Sequence, residues 1–120
     1  MNEQQHAAEQ QNVNVMPVVL HLTLKKKWFD LIASGKKLVE LREAKPYWQK
    51  RLLDSGGALR QDFTEIYFRN GYSPKAPFMR VEFSHLCLYR SDFIHPEHGE
   101  ELIATHYFMI VLGKVLELRA

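Results

Sequence analysis

The stretch Gly35-Lys36-Lys37-Leu38-Val39-Glu40-Leu41-Arg42 decides how this chain is read. Before it, Lys25 to Ser34 has helical spacing: Trp28, Leu31 and Ile32 recur on one face, with Phe29 beside Ile32. Gly35 is placed to end that helix in the left-handed conformation, which only glycine adopts cheaply. A strand is then expected over about Leu38 to Glu43. Strand side chains alternate with period two, so Glu40 and Arg42 share one face while Val39 and Leu41 share the other. Lys36 and Lys37 lie in the turn that feeds the strand. Two readings follow. The charges are either a solvated strand edge or the parts of a site.

Upstream, Val18, Leu20, Leu22 and Leu24 alternate with Val19, His21 and Thr23, which predicts a strand with one face in a core. His21 is read as a strand residue hydrogen-bonded near the mouth of a barrel. Downstream, Pro46 suits the first turn of a second helix reaching about Leu53. Trp48 and Leu52 would pack inward there, with Lys45, Lys50 and Arg51 on the exposed side. Ser55-Gly56-Gly57 breaks that helix.

Glu65 to Arg69 alternates as a strand, with Ile66 and Phe68 on one face. Asn70-Gly71 signals a turn that favours positive φ, and Tyr72-Ser73-Pro74 extends it. Phe78 to Tyr89 is a long alternating strand whose parity shifts near His85, which predicts a bulge. Ser91 to Glu101 reads as a loop running into a short helical turn. Its His95, Glu97 and His98 read as solvated side chains, so no metal and no cofactor is expected. Tyr107 to Leu118 is nearly continuous apolar sequence, the pattern of a strand buried on both faces. Run-on strands with few helices predict an α+β, mainly β fold: a small mixed β-barrel with one or two flanking helices.

The spacing G-x-K-x-x-E-x-R, formed by Gly35, Lys37, Glu40 and Arg42, resembles the signature of the ASCH domain family, a branch of the PUA-like barrels. The surroundings are similar too: His21-Leu22-Thr23-Leu24 as a first strand and Lys27-Trp28-Phe29-Asp30-Leu31-Ile32 as a helix. Phe68-Arg69-Asn70-Gly71-Tyr72 resembles the family's second polar turn, and His106 to Val115 its closing strand. The resemblance covers roughly Val18 to Leu118. It implies a PUA-like barrel over residues 17–120, after a Gln/Asn-rich stretch, 1–16, whose composition predicts disorder.

With 120 residues and a hydrophobic share of 46%, the chain suits one domain with a modest core. Cys87 is the single cysteine, which excludes an internal disulfide and a cysteine-based zinc site and fits a reducing cytoplasm. No apolar run reaches membrane-spanning length and no apolar signal core is visible near the start, so a cytoplasmic protein with no membrane partner is expected. The net charge of +2 hides an asymmetry. Between Lys25 and Arg51 stand nine Lys/Arg and three Asp/Glu, whereas Leu52 to Ala120 carries seven basic and nine acidic residues. A positive lobe on a near-neutral chain is the footprint of a polyanion partner, or a solvated lysine-rich face.

The resemblance implies RNA handling. A cleft built on the motif would bind single-stranded RNA, or a nucleoside or nucleotide. Lys36, Lys37, Arg42, Arg69, Lys25 and Lys26 would meet phosphates, Arg69, Asn70 and Tyr72 would lie across from the motif, and an exposed Tyr47, Tyr72 or Tyr107 would stack on a base. Some relatives are instead hydrolases that cleave RNA or deacetylate an N4-acetylated cytidine. In the amidohydrolase-like members the motif's lysine, here Lys37, is the nucleophile or base. A threonine stands there where this chain has Glu40, and a third carboxylate would fall near Glu97, Glu100 or Glu101. Lys37 and Glu40 are therefore the catalytic candidates if the chain is an enzyme. A protein-interaction module is the third class.

Overall fold

The structure is a computed structural model that describes residues 16–90, 94–95, 100–101 and 106–120. Its elements run β1 (Val19–Thr23), α1 (Lys26–Ala33), β2 (Val39–Glu43), α2 (Pro46–Leu52), β3 (Glu65–Arg69), β4 (Phe78–Arg90), β5 (Ile94–His95), β6 (Glu100–Glu101) and β7 (His106–Arg119). The Gln/Asn-rich stretch up to residue 15 lies outside the described residues, as do Glu97 and His98.

Five strands form one sheet in the order β1-β3-β4-β7-β2. β1 and β3 run parallel, and the other pairs are antiparallel. The sheet curls into a half-barrel. The α+β, mainly β class is therefore as expected, and β1 and β2 are left as the two edges that face each other across the opening.

Alternation sets the core. Leu20 and Leu22 of β1 stand beside Ile66 and Phe68 of β3, which stand opposite Val81 and Met79 of β4. All six are buried, and Leu86, Phe108, Ile110 and Leu112 extend the layer. α1 covers it with Phe29 and Ile32, and α2 with Leu52. Each such side chain contributes roughly 1.5–3 kcal/mol by leaving water.

α1 ends as the glycine spacing predicts. Gly35 has φ +79°. Its N–H donates to Ile32 O at 3.0 Å, and the Lys36 N–H donates to Leu31 O at 3.0 Å, the paired bonds of a Schellman cap. The chain then turns into β2. Pro46 opens α2, and Lys50 and Arg51 occupy its last turn, where the helix dipole favours cations.

The expected break in β4 is present as register shifts from Arg80 to His85. Val81 pairs with Val115 and Phe83 with Leu112, so Gly113 and Lys114 together face Glu82. Glu82 Oε1 accepts from the Lys114 N–H at 3.0 Å. A Cβ on Gly113 would come within 2.9 Å of Glu82 Cβ, so glycine is what lets the carboxylate lie against the strand.

Two expectations are corrected. β7 is buried only in its first half, because β2 pairs with it no further than Val111; Val115, Leu116 and Leu118 beyond are exposed. The segment read as a loop with a helical turn contains a short antiparallel pair, Ile94–His95 with Glu100–Glu101. The Asn70-Gly71 turn has its expected positive φ at Gly71. No helix among the described residues is long and apolar enough to cross a membrane.

Candidate nucleotide-binding cleft

Period two places Glu40 and Arg42 on one face of β2, and the pairing shows which face. Glu40 stands opposite Ile110 and Arg42 opposite Phe108. Directly opposed residues share a face. Ile110 and Phe108 are core residues, so the charged pair projects inward and is not a solvated strand edge. Leu41, on the other face, is buried outside that core cluster.

An inward charge must be paired. Glu40 is 2% exposed and Lys37 1%. The Lys37 ammonium donates to Val39 O and lies 3.2 Å from Glu40 Oε1. The other carboxylate oxygen, Oε2, takes Arg42 Nη1 at 2.5 Å. Glu40 Oε1 makes no hydrogen bond of good geometry, so the Lys37 contact is an ion pair and not a directed bond. The ring of Trp28 on α1 lies 5.7 Å from Lys37 Nζ. Lys37, Glu40 and Arg42 thus form a cation–anion–cation chain running from the core to the surface.

Arg42 is the outer end. Its Nη2 donates to Thr23 O at 3.1 Å, and its guanidinium lies 5.3 Å from the Trp48 ring. Its Nε is buried without a hydrogen-bond partner. Thr23 ends β1, Arg42 belongs to β2 and Trp48 to α2, so this side chain spans the opening between the two sheet edges. Above it is a cleft of about 390 Å³ lined by His21, Thr23, Arg42, Tyr47, Trp48 and Tyr72. Tyr47 is 56% exposed and Tyr72 92%. Tyr47 packs edge-on to Trp48 at 4.9 Å, and His21 edge-on to Tyr67 at 5.4 Å. The cleft therefore offers a cation at its floor and aromatic faces at its rim.

Of the residues singled out in the sequence, Arg42, Tyr47 and Tyr72 meet in this cleft. Lys37 and Glu40 lie beneath it, buried. Lys36 is exposed at the turn, and Lys25 is exposed before α1. Lys26 pairs with Asp30 at 2.5 Å. Arg69 pairs with Thr23 at the end of β3, and its guanidinium stacks 4.7 Å from the Phe78 ring. Asn70 donates its N–H to Pro77 O and lines a separate cavity with Lys26 and Phe29. Tyr107 is 5% exposed and is not available for stacking on a ligand. The side chains of Glu100 and Glu101 are outside the described residues, as is Glu97. Trp48, His21 and Thr23 complete the cleft and were read only as packing or strand residues. The signal for Trp48 was its place next to Tyr47 at the start of a helix carrying basic residues. Among the described residues no His, Cys, Asp and Glu cluster could hold a metal ion.

No protein-family model matches the chain, and no curated protein or solved structure is detectably similar to it.

Proposed function

We propose that this protein binds single-stranded RNA, or a nucleotide unit of it, in the cleft between the sheet edges. The observation that carries the reading is the juxtaposition of the Arg42 guanidinium with the exposed rings of Tyr47 and Tyr72 around one small cavity. A base has a π-face for a tyrosine and acceptors for a guanidinium, and a phosphate has charge for it. A cavity of about 390 Å³ suits a ligand of that size. The basic lobe between Lys25 and Arg51 supplies long-range attraction.

The motif at the seam and the curled mixed sheet support placing the chain with the ASCH branch of the PUA-like barrels, as a barrel left open at the cleft. The single cysteine, Cys87, accords with a reducing, cytoplasmic setting. The hydrolase alternative draws less support. Lys37 and Glu40 are sealed under Arg42, and the Lys37 ammonium is held by Val39 O and Glu40, so a bond placed in the cleft meets neither directly.

A fluorescence-anisotropy titration with labelled, randomised-sequence single-stranded RNA tests the reading. Binding is expected at about 50 mM salt and should weaken steeply by about 200 mM. Folded protein that binds no RNA at the lower salt defeats it.

A further inference from the structure

The cleft does not end at Tyr47. The same residue is part of the wall of a second, larger groove of about 850 Å³ that follows α2 and the loop after it, with Lys50, Arg51, Leu53 and Ser55 also in its wall. Tyr47 belongs to both, so the two depressions meet along one face of the molecule. Arg51 fixes the junction. Its guanidinium stacks 3.6 Å from the Tyr47 ring, and its Nη1 donates to Tyr47 O at 2.9 Å. The ring is thereby presented with a cation on one side and the Arg42 cleft beyond it.

The wall of the second groove is net positive, because Lys50 and Arg51 stand in it against one acid, Asp54, whose Oδ1 accepts from the N–H groups of Gly56 and Ala58. Lys50 and Arg51 are exposed.

Resting on the reading of the cleft as a nucleotide site, we infer that the bound molecule is a strand of several units. One base enters the Arg42 cleft, and the backbone continues past Tyr47 into the α2 groove, where Lys50 and Arg51 take the next phosphates. Charge complementarity and the shared Tyr47 wall argue for a polyanionic chain there, rather than for an apolar partner. Tyr47 divides the two positions: one unit lies on its Trp48 side and the next on its Arg51 side. A mononucleotide would fill the first position and leave the second empty.

The test is a length series, measured by calorimetry with randomised-sequence RNA as mononucleotide, dinucleotide, tetranucleotide and hexanucleotide. The proteins are the parent and the double variant Lys50→Ala/Arg51→Ala, each checked for folding by thermal melting. For the parent, affinity should rise by about tenfold or more between the mononucleotide and the tetranucleotide. In the double variant that gain should fall to within about twofold; because Arg51 also holds the Tyr47 ring, the comparison is of the gain with length within each protein and not of mononucleotide affinity between them. An equal gain in both proteins, or no gain in the parent, overturns the α2 track and leaves the cleft standing. No binding at any length overturns the cleft, and the track with it. Should the double variant fail to fold, Lys50→Gln/Arg51→Gln replaces it with the same expected outcomes.

Discussion

Arg42 reaches from one edge of the sheet to the other: its Nη2 lies 3.1 Å from the carbonyl oxygen of Thr23 while its Nη1 holds Glu40. No strand ladder joins β1 and β2, so this planar fork stands where strand pairing would close a barrel. Lysine carries its donors on one nitrogen and lacks the planar fork with which two nitrogens meet two separate acceptors. Arg42→Lys should therefore lose the seam bond while keeping the charge, at about 1–3 kcal/mol of stability. Urea denaturation measures it. A midpoint equal to the parent would show that the seam is held without the fork.

The buried pair behind Arg42 makes a second prediction. Removing Glu40 leaves the Lys37 ammonium without its counter-ion in a dry site, so Glu40→Leu should cost about 3–5 kcal/mol, whereas Lys37→Met leaves Glu40 paired with Arg42 and should cost less. Removing both takes away the stranded ammonium and should restore part of the Glu40→Leu loss. A double-mutant cycle on unfolding free energies reads the coupling directly. Additive losses would mean that the 3.2 Å contact has no energetic consequence.

Gly35 yields a third. Nothing lies within 4 Å of a Cβ built on it, so only the backbone resists substitution. At φ +79°, Gly35→Val should cost about 1–3 kcal/mol, and Gly35→Asn distinctly less because Asn tolerates this conformation. Equal denaturation midpoints for the two variants would contradict a penalty of backbone origin.

Much of the local structure was legible for a physical reason. Period-two alternation located β1, β3 and β4, helical spacing and Gly35 located α1 and its end, Pro46 located the start of α2, and the parity change near His85 located the bulge. What alternation could not reveal is which face of β2 turns inward. Glu40 and Arg42 evidently share a face, but their inward direction depends on pairing with Ile110 and Phe108, some seventy positions away. The parallel placement of β1 beside β3 is equally non-local. The half-exposed β7 was misread because apolar composition records what a strand can bury, while the length of its partner decides what it does bury. Arg69 fitted a polar turn by order along the chain, and its stacking on Phe78 follows from the β3–β4 register.

Acid sensitivity supplies a fourth prediction. Arg60 grips Asp62 with two hydrogen bonds, Nε to Oδ1 at 2.9 Å and Nη2 to Oδ2 at 3.0 Å. The hydrogen bond from Arg60 holds the Asp62 carboxyl below its ordinary range. A carboxyl lowered in the folded state stabilises above its unfolded pKa and loses that contribution as pH falls through the folded value. Asp62→Asn should therefore be less stable than the parent at neutral pH, with the gap closing below about pH 4. Thermal melting across that range checks it. A gap that persists unchanged at the acid end would assign it to something other than this titration.

The central proposal is that RNA enters the cleft around Arg42, and photochemical crosslinking tests it most directly. Single-stranded RNA of randomised sequence carrying 4-thiouridine is irradiated with the full chain at about 50 mM salt, and the crosslinked peptides are mapped. Crosslinks on Tyr72, Tyr47 and Trp48 are expected, because these rings line the cleft around Arg42. Crosslinks confined to the outer stretch of β7, around Val115 to Leu118, would contradict the cleft as the binding site.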